Sequence, residues 1–234
     1  MSLLTIVQGA CDSLLNALPP KYVAGNADDS VRQMVSLLNE EGREQAFGYP
    51  WQALTRRVEK AALPHVDQGD IENLAPGYAY ILNDTIWLGG MPFKPLGPQN
   101  PQAVTGIEAF GFSPVTVYWI EGNHLFVKRV PSAAQKLMFR YQSRNWVKAA
   151  DGTEKDMMMF DDDNPLIPER VLLLALVWRW LQRNGMPYEQ EYMNYRNALQ
   201  QYTSREGTRA VLNVSIGTCG YNPSQSIFGG VMRV

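Results

Sequence analysis

The carboxylate, histidine and cysteine side chains are the groups that could do chemistry, and their spacing excludes more than it builds. In Phe160-Asp161-Asp162-Asp163-Asn164-Pro165, Asp161 and Asp163 stand two apart, as in a calcium loop. That loop would continue with a ligand at 165 and a glycine at 166, where this chain has Pro165 and Leu166. The acidic run reads better as the lead into a helix whose first turn follows Pro168, with its carboxylates near the positive helix end. Glu40 and Glu44 are spaced like a hydrolase carboxylate pair, but read better as helix-surface ion partners of Arg43. The only histidines, His65 and His124, cannot form an HExxH pair and read as surface or turn residues. No phosphate loop, GxGxxG or GxSxG occurs. Asn213-Val214-Ser215-Ile216-Gly217 lacks the first glycine of a nucleophile elbow. No metal, no cofactor and no catalytic residue is expected, so the chain is not read as an enzyme.

Composition narrows the class further. With 234 residues, 45% of them hydrophobic and 11% aromatic, the chain can bury a sizeable core and is not a disordered chain. A formal net charge of -2 argues against a protein that coats nucleic acid over its whole surface. Cys11 and Cys219 are too few and too far apart for a disulfide framework or a zinc site, and read as free thiols in a reducing compartment. The opening residues have no basic region and include Asp12, unlike a secretory leader. The longest apolar run, 171–178, is closed by Arg179, and a membrane span needs about 20 residues. The expectation is a soluble protein made in the cytoplasm, with no membrane partner.

The elements that would position these groups fall into four blocks. A helix is expected over 3–18, with Leu4, Val7, Cys11, Leu14 and Leu18 on one face and Pro19-Pro20 ending it. A second starts at a cap on Asp28 or Asp29, repeats Val31, Met34, Val35, Leu38 and Gly42, and closes at Gly48 and Pro50. Nine of the fifteen prolines then lie between Pro50 and Pro131, which disfavours long helices there. Strands are expected at 51–58, 85–88, 115–120, 136–147 and 157–160, with a hairpin turn at Glu121-Gly122-Asn123-His124 and another turn at Asp151-Gly152. The proline-rich stretch 88–101 reads as a loop.

Helices return after Pro168. Residues 169–184 are apolar on nearly every side, as in the central helix of a bundle, and Gly185 ends them. In the next helix Tyr188, Tyr192, Tyr195, Leu199 and Tyr202 draw one stripe, a packing seam in preference to a platform for nucleobases. Neither helix pair is stable alone. The fold class expected is α+β: a split four-helix bundle (1–49 and 166–206), a β-rich inserted domain (50–165) and an extended C-terminal arm (207–234). The arm has only Arg209 and Arg233 as charged residues. Its Val211, Val214, Ile216, Ile227, Phe228 and Val231 suit a strand laid along another chain, and form a candidate interface.

The order of these segments resembles a known family. Asn39-Glu40-Glu41-Gly42-Arg43 and Tyr49-Pro50-Trp51-Gln52-Ala53-Leu54 end the first helix pair. Ile81-Leu82-Asn83-Asp84-Thr85-Ile86-Trp87 follows, then the hairpin, Phe139-Arg140-Tyr141-Gln142-Ser143, Trp146, Asp163 and Pro168-Glu169. This series is similar to the head-to-tail adaptor (tail accessory, or tail tubular A-like) proteins of tailed bacteriophages. The resemblance covers residues 3–206. The loop 89–101 and the segment beyond Gly207 depart from it. It implies a structural virion protein at the portal vertex, forming a homo-oligomeric, twelvefold ring. Its partners would be the portal protein and a tail tube or nozzle protein, with DNA passing through without sequence-specific binding.

A different class of function rests on the residues alone. Arg56, Arg57, Lys60, Lys128, Arg129, Arg140 and Arg144 are interleaved with Tyr118, Trp119, Tyr141 and Trp146. That mixture on strands would suit a nucleic-acid-binding module.

Overall fold

A computed structural model describes residues 2–14, 18–91, 95–111, 113, 115–128, 131 and 135–206. The chain is mixed α and β. Its described helices are α1 (Leu3–Ser13), α2 (Asp29–Gly48), α3 (Ile71–Leu74), α4 (Pro101–Phe110), α5 (Glu169–Arg183) and α6 (Glu189–Glu206). Its strands are β1 (Thr55–Ala61), β2 (Asp67–Asp70), β3 (Tyr78–Ile81), β4 (Trp87–Leu88), β5 (Val117–Glu121), β6 (His124–Lys128), β7 (Lys136–Ser143), β8 (Val147–Lys148), β9 (Glu154–Lys155) and β10 (Asn164–Pro165). All strand pairs among them are antiparallel.

Leu3, Ile6, Val7, Ala10, Cys11 and Leu14 are buried, each three or four residues from another of the set, which draws one helix face. The expected run to residue 18 is too long. The helix ends at Ser13, Leu14 is extended, and Leu18 is 92% exposed. Gln8 donates to the carbonyl of Pro20, so the proline segment lies beside the helix instead of extending it. In α2, Asp28 accepts from the Ser30 N–H and caps the first turn. Its buried stripe then runs Val31, Met34, Leu38, Glu41, Gly42 and Gln45, with polar residues where an apolar face would continue. Helix α5 touches α1, α2 and α6, and Gly185 in the left-handed region ends it.

Helices α1, α2, α5 and α6 share one core, but not by themselves. Trp51, Leu54, Trp146, Val147, Met158 and Ile167 belong to it, so segments between α2 and α5 complete the packing. Trp146 is fully buried and donates its indole N–H to the carbonyl of Asp156. Its ring lies against the α2 backbone at Gly42, where an added Cβ would come within 2.1 Å of Cζ2.

Strand β7 organises the largest sheet. β1 pairs along its whole length on one side, while β3 and β4 share the other side in tandem. Val58, Leu137, Phe139 and Tyr141 face inward with Ile86, and Tyr118, Leu125 and Val127 of the second sheet (β2-β6-β5) join the same cluster. The β5–β6 turn has Gly122 and Asn123 both at positive φ, the geometry of a two-residue hairpin. A short third sheet has the order β10-β8-β9.

Several expectations in this region need correction. The stretch 136–147 is not one strand: β7 ends at Ser143, and Val147 opens β8 in the third sheet. The stretch 51–58 begins as a 3-10 turn (Gln52–Leu54), and its strand continues to Ala61. Residues 157–160 form no strand, because Met159 and Phe160 give their N–H groups to the Asp163 carboxylate. Helix α4 occupies part of the proline-rich region. Asn100 accepts from the Ala103 N–H, Pro101 sits in the first turn, and Gly111 closes in the left-handed region. Among the described residues, no helix is long and apolar enough to cross a membrane.

Gly42→Ala should therefore destabilise the fold by about 3 kcal/mol or more, because backbone and a buried indole cannot both give way. Denaturant unfolding of Gly42→Ala, alone and combined with Trp146→Leu, checks this. The second change should recover part of the first loss.

Candidate functional site

The polar part of the α2 stripe meets α5 and α6 in a buried network. Glu41, fully buried, accepts from the Tyr195 hydroxyl at 2.6 Å, Gln45 Nε2 at 2.8 Å and Arg179 Nε at 2.7 Å. Gln45 Nε2 also reaches the Tyr195 hydroxyl at 2.7 Å. The Arg179 guanidinium further pairs with Glu44, and with Glu40 at 3.7 Å. Burial would lower the Arg179 pKa, but the Glu41 and Glu44 carboxylates outweigh it and hold it above its ordinary value. Burial and the Glu41 carboxylate push the Tyr195 hydroxyl well up, so it stays a neutral donor.

Glu40 and Glu44 were expected beside Arg43; they meet Arg179 from another helix instead. Glu41 was not singled out from sequence. The signal lay in the spacing 34, 38, 41, 45, which carries a carboxylate onto the apolar face. A second sign was the one arginine within the apolar run of α5. The tyrosine stripe is the seam beside this network. Tyr188, Tyr192 and Tyr195 surround the Trp178 ring, the nearest at 5.1 Å between centroids.

The acidic loop serves α1 rather than α5. The carbonyls of Asp163 and Asp161 accept from the Leu3 and Leu4 N–H groups at the start of α1. The Asp161 carboxylate accepts from Val23 and Ala24 N–H groups. Asp163, buried, takes Lys155 Nζ at 2.6 Å and the N–H groups of Met159 and Phe160. Burial would raise its pKa, but Lys155 and those two N–H groups bring it below the ordinary 3.8. The only acidic residue in the first turn of α5 is Glu169. Among the described residues, no group of three or more His, Cys, Asp or Glu side chains is placed to hold a metal ion.

The basic and aromatic set does not come together as a stacking surface. Tyr118, Trp119, Tyr141 and Trp146 are all buried. Arg56, Arg57 and Arg144 pair with Glu154, Glu59 and Glu72, and Lys60 donates to the Asn73 carbonyl. Arg129 lies outside the described residues.

Among the described residues, open surfaces occur on both the helical and the β side. A cleft of about 700 Å³ at one end of the helices is lined by Cys11, Leu14, Met34, Val177, Trp180 and Leu181 among others. On the β side, α4 buries only Val104, and Phe110 at its end is 87% exposed, with Leu96 and Val115 also exposed. The candidate interface residues Val211, Val214, Ile216, Ile227, Phe228 and Val231, with Cys219, lie outside the described residues. No protein-family model matches the chain, and a search of curated proteins finds no match.

Two outcomes follow from the buried charges. Arg179→Ala strands Glu41 and should cost roughly 3–5 kcal/mol, whereas Glu41→Leu with Arg179→Met should cost clearly less; chemical unfolding of both proteins checks the difference. A lowered carboxylate pKa gives stability present above the unfolded value and lost as pH falls through the folded one. The stability gap between the parent and Asp163→Asn should therefore be widest near about pH 6 and close towards about pH 2, read by denaturant titration at each pH.

Proposed function

We propose that this chain is a structural head-to-tail adaptor of a tailed bacteriophage, a split helical bundle carrying an inserted β domain. In this reading twelve copies form a ring under the portal vertex of the virion. The ring links the portal protein to a tail tube or nozzle protein, and DNA passes through its channel. The reading assigns the chain no catalytic chemistry, no cofactor and no metal. The arm 207–234 supplies contacts to the portal or to the adjacent subunit.

The observation that carries it is where the family-like residues fall. Glu41 and Gly42 of the first motif anchor the polar network and the Trp146 contact. Trp51 and Leu54 of the second, with Trp146, are buried in the shared helical core. Ile86, Phe139 and Tyr141 of the later motifs build the core beneath the main sheet. The resemblance thus tracks the residues on which packing depends, as a shared scaffold requires. A net charge of -2 suits a channel that must not grip DNA.

The purified chain should be a monomer or weak oligomer that becomes a closed ring on portal rings of the same particle. Mass measurement and electron micrographs with and without portal read this directly. A tight dimer indifferent to portal would overturn the assignment.

A further inference from the structure

Strand β1 pairs with β7 on one side, and among the described residues no strand pairs with its other side. The register shows which backbone groups are left open. Ala62 donates to the Gln135 carbonyl at 2.9 Å, and these two continue the alignment of Ala61 with Lys136. In an antiparallel pair such positions alternate. The groups of Arg56, Val58 and Lys60 therefore point to β7, and those of Arg57, Glu59 and Ala61 point away from it. The opposite side of β7 agrees: the carbonyls of Lys136 and Arg140 accept from Gly89 and Leu82.

The described residues end close to the start of β1. Glu206, the last residue of α6, accepts the Gln52 N–H through its side chain at 2.9 Å, and its carbonyl accepts from Gln52 Nε2 at 3.1 Å. Gln52 is three residues before β1 begins. The next stretch, 208–216, alternates like a half-buried strand: Ala210, Leu212, Val214 and Ile216 against Arg209, Val211, Asn213 and Ser215. Nine residues extend roughly 30 Å, enough to run along the seven of β1.

We propose that residues 208–216 add to the open edge of β1 in their own chain, as a strand parallel to it. The apolar set would lie on the face of buried Val58, and Arg209 on the face of Glu59. Two features favour the same chain over a second copy. The root at Gln52 holds the strand close, which gives a high effective concentration. The exposed Arg57, Glu59 and Lys60 make the edge a poor template for strands that arrive from solution. This takes Val211, Val214 and Ile216 out of the portal or subunit interface of the adaptor reading and leaves residues 217–234, with Ile227, Phe228 and Val231, to reach a partner. The inference needs no portal, so it stands or falls separately from the adaptor reading.

Amide hydrogen exchange on the full-length chain tests it, at several protein concentrations and in Val211→Pro and Leu212→Pro. These two positions are adjacent, so one of them carries an N–H aimed at β1. In the parent the amides of Arg57, Glu59 and Ala61 should be protected at every concentration. At least one proline variant should speed their exchange by roughly tenfold or more, while Val58 and Lys60, bonded to β7, keep their rates. Unprotected amides in the parent, or rates unmoved by both prolines, would overturn the proposal. Protection that grows with concentration would assign the edge to a second copy and overturn it as well.

Discussion

The placement of one carboxylate constrains the helical part of this protein. Glu41 is buried, and an unpaired buried charge would cost several kcal/mol. It is held only if Arg179 of α5 and Tyr195 of α6 arrive in register with α2. A shift of any of the three helices by one turn, about 5.4 Å, would break the bonds and leave charge in the core. An apolar stripe would tolerate several registers at similar energy; this network tolerates one. One residue further along α2, Gly42 lets the Trp146 ring reach the helix backbone, so the same turn that sets the helix register also seats the residues entering β8.

How much of this was legible in the sequence depends on the range of the interaction. Helices α2, α5 and α6 follow from local period and from caps such as Asp28 and Gly185, and the structure places them close to those limits. The β5–β6 hairpin follows from Gly122-Asn123 in the same way. Helix α4 was also written locally, in Asn100-Pro101 and Gly111. It was lost because proline was weighed as a breaker and not as a residue of the first turn. The role of the acidic loop was not local. Nothing near Asp161 or Asp163 says that their carbonyls meet Leu3 and Leu4, over a hundred residues away. The partner of Glu40 and Glu44 was missed for the same reason: Arg43 is near in sequence, and Arg179 is near in space.

The basic and aromatic residues show how composition misleads on strands. Alternation places Tyr118 and Tyr141 on inner faces, where they add to a core, and sends Arg57 and Arg140 outward. Reading such residues as one surface requires them to share a face, and a period of two forbids it for neighbours. Tyr118 illustrates the result: burial, helped by the charge of Asp84, pushes its phenol up to about 12, the behaviour of a core hydroxyl and not of a wet stacking platform.

These features divide the molecule into a part that resists change and a part that is incompletely covered. The polar network, the Trp146 contact and the two-sided pairing of β7 are turned inward, and even their unpaired acceptors, Gln45 Oε1 and Gln142 Oε1, are buried away from any partner. The open groups lie elsewhere: the outer side of β1, the exposed end of α4 at Phe110, and the cleft near Cys11 and Trp180. An adaptor of the proposed kind would need this separation. Contacts that specify the monomer must not compete with contacts made later, or closing an interface would loosen the fold that presents it. Burying Glu41 among three helices, with the half-buried Arg179 drawn onto it, achieves the first condition. Leaving Phe110 uncovered meets the second, because it is not needed to hold the register of α2, α5 and α6.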